Sequence, residues 1–431
     1  MKRLLVLAYF YPPLAGGGVP RVLSFTRYLP EHGWACTVVC AGEHDYWVRD
    51  ESLLAAVPAA TEVIRVPGGS GLAAVLRLRG ASTQGRRSST GFAALRALSD
   101  WFLLPDSYAG WANRAVRAAS ARIAAGGIDA VLSSSPPDSV HLAAARVVRA
   151  APRRLPWIAD FRDPWIGSHF RTPPTPWHAA RHAAMEASVT GGADLVLAAS
   201  RTHHDALAAR TQARPARLLH LPNGFEPAGA TAAGPGPAPD VFRIVFTGSL
   251  SLMEDAGTLL TAVQQMLRDE PAVRSRLRVD LAGPYDSVWA ARIAALGLGD
   301  VVHLPGPLAH ADARTLQGAA DVLMLWKPHG EGFRTMVPGK LYEYLDSGRP
   351  IVALLRADDE AAQLVQRAGG ELSPPADAGA LAARLLARWR RWQAGERTVA
   401  RRPEWLDQHR RGALAGVLAR SLDALVAEAR P

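Results

Sequence analysis

The apolar run Leu4 to Phe10 is short, unbroken and followed by the loop Tyr11 to Gly18, a pattern that predicts a buried strand. A helical pattern over about 20–32 and a second apolar run at Ala35 to Ala41 complete a strand–helix–strand unit, which requires a parallel sheet. The pattern recurs at Ala130 to Leu132, Trp157 to Ala159 and Leu195 to Ala198. A new series begins at Phe242 with the strand FRIVFTG, a helix near Thr258 to Met266 and the strand LRVDLAG. It continues with a helix near Ser287 to Leu296, the run VVHLPG, a helix near Asp312 to Ala319 and the strand DVLMLW. A short helix at Lys340 to Leu345 is stopped by Gly348, and Arg349-Pro350 lead into the strand Ile351 to Leu355.

These elements predict an α/β protein made of two Rossmann-like, doubly wound parallel sheets. The expected organisation is a first domain over 1–226, a linker over 227–240 (PAGATAAGPGPAPD), and a second domain over 241–400. A helical, basic segment over 401–431 closes the chain and has the character to pack back on the first domain. Sheets of this kind take ligands outside the carboxyl ends of their strands, so a cleft between the two domains is the default site.

Length supports two or three domains, at roughly 100–200 residues each. Apolar residues make up 48% and charged residues 20% of the 431, as in soluble globular proteins. The net charge of +10 and isoelectric point near 10.2, supplied almost wholly by arginine, call for anionic partners. No recognition motif for nucleic acid accompanies that charge, so none is expected as a partner. Cys36 and Cys40 stand four residues apart on one strand, about 13 Å, beyond the roughly 7 Å a disulfide spans. They read as buried thiols of a reducing compartment. Met1-Lys2-Arg3 before the first apolar run imitates a secretory leader, but the run is short and ends in Pro12-Pro13 and glycines. A cytoplasmic protein, soluble or peripheral on the inner face of the cell membrane, is expected.

The densest chemistry lies in VPGKLYEYLDSGRP, residues 337–350. Lys340, Glu343 and Tyr344 fall at i, i+3 and i+4 on one helix face. A cation and a carboxylate thus stand together near a helix start, where backbone N–H groups favour anions. Diphosphate needs the first kind of partner and ribose hydroxyls the second; a solvated ion pair is the plain alternative. Gly16, Gly17 and Gly18 follow the first strand, and glycine lets a backbone approach a phosphate or sugar closely.

YFYPPLAGGGVPRV (9–22), ADFRDPW (159–165), LPNGF (221–225), FTGSL (246–250) and PGKLYEYLDSGRPI (338–351) occur in the order and spacing of glycosyltransferase family 4, which the whole chain resembles. The resemblance implies the two-Rossmann-domain GT-B fold and transfer of a sugar from a nucleotide-diphosphate sugar with retention of anomeric configuration. The donor would bind the second domain, and a glycan or lipid-linked acceptor the first. No metal and no other cofactor is implied. Glu343 matches the family glutamate on the donor ribose. The family's earlier, sugar-gripping glutamate is replaced by Thr335; Glu331 lies four residues too early, which leaves Glu331 and the loop backbone at Phe333 to Met336 as alternatives. The arginine and lysine that often hold the diphosphate correspond here to Ser249 and Glu254. Stabilising the departing charge then falls to Lys340, Arg334 and Arg162, with the helix start near Gly339 and the Gly16–Gly18 amides. Arg162, Asp163 and Lys340 are accordingly the candidates for the chemical step. Gly16, Gly17, Gly18, Gly248, Ser249, Leu308, Arg334, Thr335, Lys340 and Glu343 are the candidates for holding the donor. Ser133 to Asp138 are expected to line the acceptor side, with Asp106 and Tyr108 as further liners or helix caps, and Asn223-Gly224 to form the hinge.

Arg65, Arg77, Arg79, Arg86, Arg87 and Arg96 surround apolar Leu72 to Leu78, and Trp101 to Leu104 follow. Such a segment suits an anionic bilayer surface, or else a basic loop before a core helix. The leading function is a glycosyltransferase of cell-surface polysaccharide, lipopolysaccharide or glycolipid synthesis. A nucleotide-sugar epimerase or hydrolase of the same architecture and a non-catalytic binding scaffold stand as alternatives.

Overall fold

A computed structural model of the chain describes residues 1–43, 48–68, 100–168, 171–211, 217–227, 236–250, 256–396 and 401–429. The chain forms two compact units, one of Met1–Gly224 with Arg411–Pro431 and one of Phe225–Arg410.

In the first unit, β1 (Lys2–Ala8), β2 (Trp34–Ala41), β3 (Glu62–Val66), β4 (Ala130–Ser135), β5 (Trp157–Phe161), β6 (Leu195–Ala198) and β7 (Leu218–His220) form one sheet. Its order is β3-β2-β1-β4-β5-β6-β7, and every pairing is parallel. Leu4, Leu5, Val6 and Leu7 are all fully buried, because helices cover both faces of β1. The helix Arg411–Ala429 packs its Leu414, Leu418 and Leu422 into this unit's core, against the helix Val19–Tyr28. Lys2 pairs with Asp423 on that helix.

In the second unit, β8 (Phe242–Thr247), β9 (Leu277–Ala282), β10 (Val302–Gly306), β11 (Val322–Trp326), β12 (Ile351–Leu354) and β13 (Glu371–Ser373) run β10-β9-β8-β11-β12-β13, again all parallel. Both orders repeat the dinucleotide-fold sequence 3-2-1-4-5-6, so strand direction of travel reverses between β1 and β4 and between β8 and β11. Crevices at those two reversals are where such sheets take ligands.

The structure revises several boundaries. The helix predicted over 20–32 is α-helical only to Tyr28; Pro30 denies it an N–H donor, a 3-10 turn follows, and Gly33 at φ 82° ends it. Residues 401–410 belong to the second unit, not to the closing segment: Glu404–His409 is a 3-10 turn and Arg410 is extended before the last helix starts. β3, β7 and β13 were not predicted, because three to five residues with polar interruptions carry too little periodicity. Cys36 and Cys40 are buried free thiols on β2, their pKa values pushed up to about 12 by burial.

Two polar features lie inside the first core. Arg21 grips Asp160 with Nε at 2.9 Å and Nη2 at 2.7 Å, both side chains essentially buried, and donates through Nη1 to the Pro222 carbonyl at 2.9 Å. Ser134 donates to the same carboxylate at 2.8 Å. One fork thereby ties the first helix, the end of β5 and the segment leading to Gly224. His203 is 1% exposed beside the Phe161 ring, and neither ring nitrogen has a partner among the described residues. Burial, assisted by nearby Arg210, pushes its pKa down to about 4.

Arg21→Ala strands a buried carboxylate and is expected to cost about 3–5 kcal/mol, read in urea unfolding of the first unit. His203 stays neutral in the fold while the unfolded chain protonates near 6.5. Its contribution is therefore complete above pH 6.5 and is lost at roughly 1.4 kcal/mol per pH unit as pH falls from 6.5 toward 4. His203→Leu should keep or raise the melting temperature at pH 7.5 and make its decline toward pH 5 shallower; an equally steep decline would contradict this.

Candidate functional site

The second unit assembles most of the candidate chemistry around the β8–β11 reversal. Phe246 of β8 and Trp326 of β11 stack at 3.7 Å and 4°, and the Lys340 ammonium sits 3.9 Å over the Phe246 ring. Gly248, directly past β8 at φ 142°, makes room for it: a β-carbon there would stand 2.5 Å from Lys340 Nζ. Lys340 opens the helix Gly339–Ser347, whose first turn follows Pro338 and has no side-chain cap. An ammonium, the positive end of a helix and a glycine at a strand end together favour an anion such as phosphate.

Glu343, one turn further on, is held from two sides. His310 Nε2 meets its Oε1 at 3.1 Å and Gln317 Nε2 donates to Oε2 at 3.2 Å; the side chain remains 24% exposed. Burial alone would raise its pKa, but the contacts with His310, Gln317 and Arg314 outweigh that and hold the carboxyl below the usual range. Gln317, itself buried, also donates to Thr247 Oγ1 at 3.0 Å, and Arg314 braces the helix by donating to the Glu343 carbonyl at 2.7 Å. A carboxylate offers about four acceptor positions, so two remain for hydroxyl donors.

Tyr344 keeps the face predicted for it, turned with Lys340 toward the end of β8, but it is spent there rather than left for a ligand. It is fully buried and its hydroxyl accepts the Thr247 N–H at 2.8 Å, pinning the helix to the end of β8. Arg334 is half-exposed and engaged with Glu331 at 3.3 Å and Asp358 at 3.0 Å, so its charge is shared between two carboxylates. Glu331 is 77% exposed in that pair. The loop N–H groups of Phe333, Arg334 and Met336 donate to the carbonyls of Gly330, Glu331 and Phe333, which spends them within the loop; Thr335 is half-buried between them. Ser249 is exposed, Leu308 is 37% exposed just past β10, and Glu254 lies outside the described residues.

In the first unit, Gly18 begins the helix Val19–Tyr28 with no side-chain cap, and a β-carbon on it would stand 2.4 Å from Arg162 Nη1. Gly16 is required for a different reason, its φ of 109°, while space around Gly17 is open. Arg162, just past β5, donates from Nη2 to Asp163 Oδ2 at 3.0 Å, so guanidinium and helix start form a second anion-favouring corner, partly neutralised by Asp163. Asp160 takes no place in it; it is spent on Arg21.

The serines of β4 do not line an acceptor surface as predicted. Ser133 lies buried between His141 Nδ1 at 2.8 Å and Trp157 Nε1 at 2.9 Å, Ser134 is tied to Asp160, and Asp138 pairs with Arg171 at 2.7 Å. Asp106 is a helix cap, accepting from the N–H groups of Tyr108 at 2.9 Å and Ser139 at 2.8 Å. The chain leaves the first unit at Gly224.

Sequence reasoning missed His310, Gln317, Arg21 and Lys327. The first three act through partners 26 to 139 residues away, and no local pattern announces them. Lys327 did carry a signal. In a chain whose cations are nearly all arginine, the lysines are Lys2, Lys327 and Lys340, and two of them fall in one short stretch of the second unit.

Residues 241–390 match the protein-family model for Glycosyl transferases group 1. Over 241 residues the chain is 30% identical to D-inositol 3-phosphate glycosyltransferase of Geodermatophilus obscurus, covering 51% of each. It is 29% identical to the protein of that name from Actinosynnema mirum, covering 39% of this chain and 42% of the relative. The chain thus spans about half, or less, of the curated relatives it matches. Among solved structures, Anabaena HepE in complex with UDP-glucose superposes with a TM-score of 0.59 at 15% identity, over 100% of this chain and 98% of that one. WaaG, a glycosyltransferase involved in lipopolysaccharide biosynthesis, superposes at 0.58 and 16%, over 97% and 99%. At these identities the likeness speaks for the fold alone. The chain has the two-Rossmann-domain GT-B fold of glycosyltransferases, and the domain match with its glycosyltransferase-named relatives supports a transferase enzyme.

Proposed function

We propose that this protein transfers a sugar from a nucleotide-diphosphate sugar to an anionic glycan or lipid-linked acceptor. The observation that carries the reading is the pairing, on one short helix, of Lys340 seated against Gly248 with a Glu343 carboxylate oriented by His310 and Gln317. The two free acceptor positions of Glu343 suit the adjacent hydroxyls of a ribose. Lys340 and the uncapped helix start suit the diphosphate. When the bond from the anomeric carbon to the diphosphate oxygen breaks, its electron pair stays on that oxygen, and the ammonium stabilises the charge without a proton donor. The acceptor hydroxyl then bonds to the anomeric carbon and releases its proton to the leaving phosphate. Delivery from the same face would retain the anomeric configuration, the outcome implied by the family resemblance.

For the acceptor, Arg162 beside Gly18 and the uncapped helix start suit a phosphorylated or carboxylated group. The relatives named D-inositol 3-phosphate glycosyltransferases take, by name, a phosphorylated acceptor. A place in cell-surface polysaccharide, lipopolysaccharide or glycolipid synthesis is consistent with that chemistry. Contact with an anionic membrane is supported by a different feature of the first unit. Trp101, Phe102 and Trp177 are 51%, 76% and 59% exposed, and His178 touches both tryptophan rings. Aromatic side chains in this state suit a bilayer interface. The arginines at 77–96 and Leu72 to Leu78 lie outside the described residues. Arg65 does not belong to such a patch, being bound to Glu43 at 3.1 Å and to the Pro12 carbonyl at 2.6 Å. Among the described residues no helix is long and apolar enough to cross a membrane, and no group of side chains is arranged to hold a metal ion.

Calorimetric titration with UDP, GDP and ADP is expected to give binding by one of them. Glu343→Ala should weaken it roughly ten- to a hundredfold, since a charged hydrogen bond contributes about 1.5–3 kcal/mol. Lys340→Met should lower donor hydrolysis more than donor affinity, and the anomer of any transfer product should match that of the donor. Unchanged affinity in Glu343→Ala would remove the carboxylate from the site. In co-sedimentation, the chain should bind vesicles containing anionic lipid more than neutral ones, and Trp101→Ser with Phe102→Ser should reduce both; no difference would exclude the aromatic patch.

A further inference from the structure

Lys327 stands one residue past β11 with its side chain 3% exposed. Its ammonium donates to the carbonyls of Phe333 at 2.9 Å and Met336 at 3.2 Å, lies 3.4 Å from that of Arg334, and pairs with Asp359 Oδ1 at 2.9 Å. Asp359 is itself buried and immediately precedes the helix Glu360–Arg367. One buried cation therefore gathers the loop 331–336 onto the segment that follows β12. The three carbonyls bracket a single residue, Thr335.

An ammonium carries three donors in tetrahedral directions, which matches two or three carbonyls and a carboxylate converging from different sides. A guanidinium carries its donors in one plane and does not. That difference gives a reason for lysine here in a chain that otherwise uses arginine almost throughout. A buried charge is costly unless fully partnered, so Lys327 does not serve packing alone; an apolar residue would fill the space more cheaply. The order it imposes falls on a loop whose own hydrogen bonds are those of a single short turn.

We propose that Lys327 is a positioning residue that locks the loop 331–336 so that the Thr335 hydroxyl is held toward the sugar of the donor. This rests on the donor reading above for the identity of the ligand, while the lock itself does not depend on it. Nucleoside diphosphate alone would be held by Lys340 and Glu343 and would not sense the loop; only the sugar would.

The test uses the full chain with Lys327→Met, Lys327→Arg and Thr335→Val. Trypsin can cut after Arg334 within the loop, and Pro328 blocks cleavage after residue 327 in both wild type and Lys327→Arg. Cleavage at Arg334 is expected to be at least about tenfold faster in Lys327→Met and Lys327→Arg, following loss of the loop's order. Affinity for whichever of UDP, GDP or ADP binds should stay within about twofold of wild type. Affinity for the corresponding nucleotide-glucose should fall about tenfold, as for one lost hydrogen bond. Thr335→Val should reproduce the loss for nucleotide-glucose with no faster cleavage, which keeps the sugar arm decisive even where a Lys327 variant folds poorly. Unchanged cleavage at Arg334, or equal losses for nucleotide and nucleotide-sugar, would overturn the proposal. If wild type binds no nucleoside diphosphate, the donor reading fails, and the rate of cleavage alone then decides for or against the lock.

Discussion

A cation resting where a glycine has no side chain recurs in both units, and the proposed donor and acceptor sites are both built on that contact. In the second unit it is Lys340 against Gly248, with the Phe246 and Trp326 rings beneath. In the first it is Arg162 against Gly18. Each cation is brought past a strand's carboxyl end to meet the open start of a helix. A parallel sheet places these parts together without special arrangement, because all its strands end on one side and all the following helices begin there. A methyl group on either glycine would intrude on the cation.

The two corners are not built alike. Arg162 is partly neutralised by Asp163 and presents a planar fork, suited to a carboxylate or phosphate held in one orientation. Lys340 is a point charge over an aromatic face, with Glu343 kept ionised one turn away. That pairing of positive and negative groups on a nine-residue helix, each fixed by contacts outside it, separates the second unit from a plain anion site. It is also why the proposed ligand bears both diphosphate and hydroxyl groups.

Stability and site share residues in the first unit. Asp160 occupies a strand-end position where a reading of side-chain types sees functional material, yet it is consumed by Arg21 in a buried fork that fixes the helix after Gly18. Ser133 and Ser134 of β4 are consumed likewise, in contacts with His141, Trp157 and Asp160. Fixing that helix fixes Gly18, and with it the place where Arg162 rests. The ion pair thus acts on the site from behind. In the second unit Lys327 and Tyr344 play the corresponding part, one for the loop after β11 and one for the helix carrying Glu343.

Period and punctuation in the sequence determined the two doubly wound sheets, since buried parallel strands are unbroken apolar runs and glycine or proline marks their ends. They also determined that Lys340 and Glu343 share a helix near its start, because that follows from residue spacing alone. Short edge strands such as β7 and β13 escaped, having too few residues to show a period. The direction each polar side chain takes was decided only by tertiary structure. Tyr344 turned inward to Thr247, Asp160 turned to Arg21, and Glu343 acquired His310 and Gln317, each through a partner at least 26 residues distant. Sequence fixes which groups a segment offers. Which of them are spent on one another, and which are left to meet a ligand, depends on what the fold brings opposite.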